Sequence, residues 1–293
     1  MTVTLYGSAL VAILVAGFLY LNRPQLISIN AALPEEFAVA GFAHVRFERL
    51  LKKYVDKEGN VAYEQWHQNA DDRSSLDGYL AAVARFSPEN APKRFGTRSE
   101  QLAYWLYAYN AYVIRSVLEN WPLDSVTDVK APIEAVTGFG FFYRQRFLFG
   151  EKPYSLYAVE HEKILRAFKD PRVHFVLNCA SESCPVLRPE LPTGGALEVL
   201  LREATIEFVS DQRNVYVDQE NGRIVLSTIF KWYRNDFVND LRRRGLPSDR
   251  GVVDYVIDVS PADARAELLA ADGFEVVFED YDWSLNARAP ATH

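Results

Sequence analysis

"SEQLAYWLYAYNAYVIRSVLENWP", residues 99–122, is the longest helical pattern in the sequence, and the fold turns on how it is read. Leu102, Leu106, Tyr109, Val113 and Val117 recur at i, i+3, i+4 and i+7 spacing, which predicts a helix with one stripe packed inward. Ser99 is placed to cap its start, and Trp121-Pro122 to stop it. One residue breaks the stripe. Asn110 follows Leu106 by four positions and precedes Val113 by three, so an amide lies on the buried face. Left unpaired there it would cost roughly 1–3 kcal/mol, so something must bond it. Two roles stay open, bracing a loop backbone or orienting a catalytic imidazole.

Helices lie on the N-terminal side of this segment. "HVRFERLLKKYVDKEG" (44–59) carries Val45, Leu50, Leu51 and Tyr54 at helical spacing and ends at Gly59. "SSLDGYLAAVARFSP" (74–88) gives a second helix, with Ser75 as cap. On the C-terminal side a Gly- and Phe-rich loop holds one strand near Phe147, followed by a short helix after Ser155. "VHFVLN" (173–178) is a near-continuous apolar run and reads as a strand covered on both faces. "ALEVLLREATIEFVSD" (196–211) is a helix. "NVYVDQENGRIVLS" (214–227) places two β-rich runs around Asn221-Gly222, a hairpin signal, and "FEVVFEDYDWSLN" (274–286) supplies a last strand. Helices come early and strands late, so the expected class is α+β, with the helix 99–120 packed on a mixed or antiparallel sheet containing 173–178 and the hairpin.

The chain has 293 residues, 49% hydrophobic and 24% charged, enough for one large domain with a real core. The net charge of −7 argues against a nucleic-acid partner. The only basic run, Arg242-Arg243-Arg244, reads as a solvated helix end before Gly245. From residue 1 to Asn22 there is no charged side chain, and the apolar core of that span runs from Leu5 to Leu21. That approaches the roughly 20 residues needed to cross a bilayer. No basic residue precedes it and no small-x-small cleavage site follows, so the expectation is a retained single-pass anchor with the domain outside the cytoplasmic membrane. The expected division is an anchor over 1–23, a tether over 24–40, a helical part over 41–98, a main domain over 99–286 and a tail over 287–293.

Chemistry concentrates in "HFVLNCASESCPVL" (174–187), which holds both cysteines of the chain. If 173–178 is a strand, His174 and Asn178 share a face about 13 Å apart and cannot touch. His174 is then most simply a core histidine with its bonds satisfied. His161, in "VEHEKILRAF", shares a helical stripe with Leu165 and Phe168 and is divided between a structural and a site role. Pro185 would start a helix capped by Cys184, whose thiolate the free amides would stabilise. Pro189 would limit that helix to about one turn. Cys179 is the rival nucleophile, and Glu182 is a base, an orienting carboxylate or a plain loop residue.

"YAYNAYVI", "SLYAVEHEKILR", "DPRVHFVLNCASESCPVL", "LSTIFKWYRNDF" and "YDWSLN" together resemble the signature blocks of domain-of-unknown-function family 547, in order from about residue 99 to 286. The blocks contain Asn110, His161, His174, Asn178, Cys179 and Cys184. The resemblance implies a domain without an established activity and, more remotely, a papain- or transglutaminase-like α+β core. It departs from the papain layout in one respect, since the long helix 99–120 carries no cysteine.

Three functions follow. The first is a thiol-dependent hydrolase or acyl transferase on amide or thioester bonds, with Cys184 or Cys179 attacking, His161 or His174 taking the proton, and Asn110, Asn178 or Glu182 orienting the ring. The second is a non-enzymatic domain that binds a peptide or partner and closes Cys179–Cys184 as a disulfide. The third, a metal site, is ranked last because C-x4-C is longer than the usual zinc spacing and has no second pair. No cofactor is expected. The substrate is a peptide or small molecule that the sequence does not specify.

Overall fold

The structure, a computed structural model, describes residue 11 and residues 14–288. The long helix forms as the stripe predicts, but it is more deeply buried than an amphipathic stripe requires. It runs Arg98–Glu119, and from Leu102 to Leu118 every residue except Arg115 is buried. A helix covered on all sides is a central one. Its tyrosines suit that position because their hydroxyls find acceptors: Tyr104 donates to the Val83 carbonyl at 3.0 Å and Tyr112 to the Leu148 carbonyl at 2.7 Å. The cap is Thr97, whose hydroxyl accepts from the Glu100 amide while Glu100 returns to the Thr97 amide. Ser99 donates instead to the Gly194 carbonyl.

Around this axis lie α1 (Val45–Tyr54), α2 (Tyr63–Gln68) and α3 (Ala70–Arg85), with the long helix as α4. The start of α3 is capped by Asn69, not Ser75. Strand β1 (Gln25–Leu26) pairs parallel with β2 (Gln145–Phe149), which pairs antiparallel with β3 (Lys152–Tyr154). Residues 24–40 therefore lie along the fold, with Phe37 buried. The small sheet packs on α4 through Tyr112, whose ring lies 4.7 Å from Phe147 and 4.9 Å from Phe149. A helical run, α5, covers 156–168 after the Ser155 cap, with a π-helical turn over Val159–Leu165.

Helix α6 (Gly195–Ser210) leads into β4 (Val215–Asp218) and β5 (Arg223–Leu226), the expected hairpin around Asn221-Gly222. Helices α7 (Thr228–Trp232), α8 (Arg234–Arg243), α9 (Val252–Val259) and α10 (Ala262–Ala270) follow. Strand β6 (Glu275–Phe278) then adds parallel to β5. The class is α+β, with helices packed against two small three-stranded sheets, one mixed around β2 and one mixed around β5.

Three expectations are corrected. Residues 173–178 form no strand: Pro171–Phe175 is a 3-10 helix capped by Asp170, and Val176 to Asn178 are coil. An apolar run of this length cannot by itself distinguish a strand from a buried turn, and proline at the first position favours the helical turn. The long helix consequently does not rest on a sheet built from that run. The membrane anchor over 1–23 is not supported either. Among the described residues no helix is long and apolar enough to cross a membrane. The described part of that span is helical over 14–21, while residues 1–10, 12 and 13 lie outside the described residues. The membrane location, which rested on that span alone, falls with it. Residues 289–293 of the tail are also outside the described residues.

Candidate functional site

The cysteine loop is held by the amide that breaks the stripe of α4. Asn110 donates through Nδ2 to the Val176 carbonyl and accepts from the Asn178 amide, both at 3.0 Å. Asn178 in turn donates to the Pro185 carbonyl at 2.8 Å and accepts from the Ala180 amide at 2.8 Å. Both asparagines are buried. They brace the loop backbone, and neither is bonded to an imidazole. Ala180 turns the chain with a φ of +64°, a left-handed conformation rare for alanine that the surrounding bonds impose.

The far end of the chain is laid onto the same loop. Glu182 donates its amide to the Ser284 carbonyl at 2.8 Å, Asn286 donates to the Ala180 carbonyl at 3.2 Å, and Asp282 donates to Ser183 Oγ at 2.9 Å. These bonds bring Tyr281 over the cysteines. Its hydroxyl is 3.1 Å from Cys179 Sγ, 3.2 Å from Cys184 Sγ and 2.9 Å from Ser181 Oγ. Burial pushes that hydroxyl well above its ordinary pKa, against the hydrogen bond of Ser181, so it stays protonated.

Cys179 and Cys184 are joined as a disulfide, with Cα atoms 6.3 Å apart. No helix follows Pro185: residues 185–194 are irregular, so the expected helix-cap position of Cys184 does not exist. Cys184 Sγ has a different donor, the Cys179 backbone amide at 2.9 Å.

Both histidines reach this place. His174, with its side chain 2% exposed, meets Asp236 Oδ2 through Nε2 at 3.0 Å, and its ring stacks on Tyr233 at 3.8 Å. Asp236 stands in the first turn of α8, where a carboxylate also suits the helix dipole. His161 is half-buried in the π-helical turn, and Leu165 and Phe168 on the same helical run are half-buried too. It stacks on Tyr157 at 3.8 Å, with Nδ1 3.1 Å from the Tyr157 carbonyl oxygen. The same turn presents Glu160, which accepts a hydrogen bond from Tyr233. Such turns are frequent where a helix must redirect side chains to a site.

His161, Glu160, His174 and Tyr233 line one open cavity of about 460 Å³, within the usual range for a ligand site, and Asp236 stands behind His174 outside its lining. His161, His174, Cys179 and Cys184 share it. Its walls are aromatic: Tyr143 stacks on Tyr157 at 4.4 Å, and Trp232, Tyr281 and Trp283 cluster with ring centres 4.6–5.8 Å apart. Burial first, and then the Glu160 carboxylate, push the Tyr109 and Tyr233 hydroxyls well up. Glu182 is exposed and belongs to a smaller adjoining hollow, with Arg188 and Arg213. Among the described residues no group of three or more His, Cys, Asp and Glu is arranged to hold a metal ion.

Sequence reasoning passed over Asp236, Tyr233 and Tyr281. Their signal lay in the blocks "KWYRNDF" and "YDWSLN", which do not show by themselves that they fold beside the cysteine loop. Glu160, next to His161 in "VEHEKILRAF", reads in the sequence as a solvated carboxylate. No curated protein and no solved structure matches the chain. Residues 93–209, which hold Asn110, His161, His174 and both cysteines, match the family described as "Protein of unknown function, DUF547", and the chain is DUF547-like across that segment.

Proposed function

We propose that the cleft is a cysteine-dependent site for acyl chemistry on amide or thioester bonds, resting with its two thiols paired. The observation that carries the reading is the His174–Asp236 contact of 3.0 Å beside the cavity that both sulfurs line. A dithiol reductant supplies two electrons and two protons to the disulfide and leaves the thiols Cys179 and Cys184. Cys184 is the nucleophile, since it is the sulfur with a backbone amide donor, and a donor at that distance favours thiolate over thiol. His174 takes the thiol proton, and Asp236 holds the ring and balances the imidazolium. The thiolate attacks the acyl carbon, the leaving group departs with the proton from His174, and water or another nucleophile then releases the acyl group.

A second reading is favoured by one observation, the disulfide itself. If the bridge is permanent, the cleft binds a peptide or small molecule without chemistry. Alkylation with iodoacetamide separates the two. After mild reduction of the folded protein, Cys184 is expected to react with a midpoint well below the usual pKa of about 8.5, and Cys184→Ala is expected to abolish that phase while Cys179→Ala leaves it. A bridge that resists reduction in the folded state, or two thiols titrating near that ordinary value, favours the binding reading.

A further inference from the structure

The charge inventory of the cleft is uneven. Of the described residues that line it, Glu160 is the one carboxylate, and none is a lysine or arginine. Among the described residues Glu160 makes no salt bridge; its side chain is met by the hydroxyl of Tyr233 and lies near that of Tyr109. A half-buried carboxylate among aromatic rings loses part of its hydration, and two hydroxyls replace that only in part. The rings supply the complementary feature. Trp232, Tyr281 and Trp283 line the same space, and aromatic faces attract cations within about 6 Å of the ring centre.

We infer that the cleft takes a substrate carrying a cationic group, an alkylammonium or guanidinium, seated between Glu160 and the aromatic walls. The inference deepens the acyl-chemistry reading by naming a substrate class, and it concerns binding, which needs no free thiol. The neighbouring groove is lined by Arg166, Lys169, Arg242 and Arg243 against Glu162, Asp170 and Asp236, a small positive excess that would favour the opposite charge at the mouth, so the sign of the preferred ligand is a real discriminator.

The test uses the full chain as isolated, with the disulfide intact, at pH 8. Benzyltrimethylammonium, benzyl alcohol and benzoate are titrated in turn while the emission of the tryptophans is followed. The cation is expected to bind ~10-fold more tightly than the alcohol, about 1.4 kcal/mol, and benzoate more weakly than either. Glu160→Gln, which can still accept from Tyr233, is expected to remove most of that preference, and Glu160→Asp, which keeps the charge, to retain part of it. Equal binding of cation and alcohol, a preference that survives in Glu160→Gln, or tighter binding of benzoate would each overturn the inference. A cation preference in the bridged protein, together with failure of the reduced protein to form any acyl adduct, would leave this inference standing and remove the thiol chemistry.

Discussion

Asn110 shows how a single side chain can be recognised in the sequence while its task stays open. The break in the apolar stripe of α4 demanded a partner, and the partners are the Val176 carbonyl and the Asn178 amide. Asn110→Leu would leave both groups buried and unbonded. It is expected to cost roughly 2–4 kcal/mol in urea unfolding, and a loss under ~1 kcal/mol would mean that the loop does not depend on it. His44 makes a second case. Buried with Nδ1 2.8 Å from the Tyr79 hydroxyl, it has its pKa lowered by desolvation from 6.5 to about 3. Above pH 6.5 neither folded nor unfolded chain protonates it, and its neutral form costs nothing. Between 6.5 and 3 the unfolded chain binds a proton that the folded one does not, so stability falls as pH falls, by at most about 1.4 kcal/mol per pH unit. Comparing the wild type with His44→Gln across pH 7 to 4 should show that slope reduced in the variant. Parallel curves would contradict the assignment.

At the scale of elements, what could be read depended on how local the signal was. The helix α4 and the hairpin β4–β5 are written in periodicity and in Asn221-Gly222, and both form. The run 173–178 is apolar without a period, and its conformation is set by Asp170 and Pro171 before it and by Asn110 from a distant helix. The cap of α4 illustrates the limits of boundary reading. Thr97 and Glu100 form a reciprocal pair, two residues before the position the stripe suggested. Thr97→Ala is expected to lower stability by about 1 kcal/mol, whereas Ser99→Ala, which loses only a bond to the Gly194 carbonyl, should cost less. The reverse order in chemical denaturation would show the cap misassigned.

Across the whole molecule, the candidate site is assembled from parts far apart in sequence, which is why only some of it was visible. His161, His174, Cys179 and Cys184 were singled out from residue type and local pattern and share one cavity. Glu160, Asp236 and Tyr281 become functional candidates only after α5, α8 and the terminal segment have folded together. Asn286 ties that segment down. It accepts from the Tyr63 hydroxyl at 3.0 Å, donates to the Gly59 carbonyl at 3.3 Å, and donates its own amide to the Ala180 carbonyl at 3.2 Å. Asn286→Ala is therefore expected to cost ~1–3 kcal/mol and, by loosening Tyr281 over the sulfurs, to speed reduction of the disulfide by a dithiol. An unchanged reduction rate would show that the terminal segment does not shield the bridge.

In the proposed mechanism, reduction turns the closed disulfide into an acyl-accepting thiol served by His174 and Asp236. The mechanism is tested most directly by the burst of p-nitrophenolate released from p-nitrophenyl acetate by the folded protein before and after mild reduction. No burst is expected before reduction and one equivalent per chain after it, with the acetyl group on Cys184. In Asp236→Asn the burst should be slower and its pH midpoint shifted, while the urea midpoint stays unchanged. A burst in the bridged protein, none after reduction, or one that persists in Cys184→Ala would contradict the mechanism.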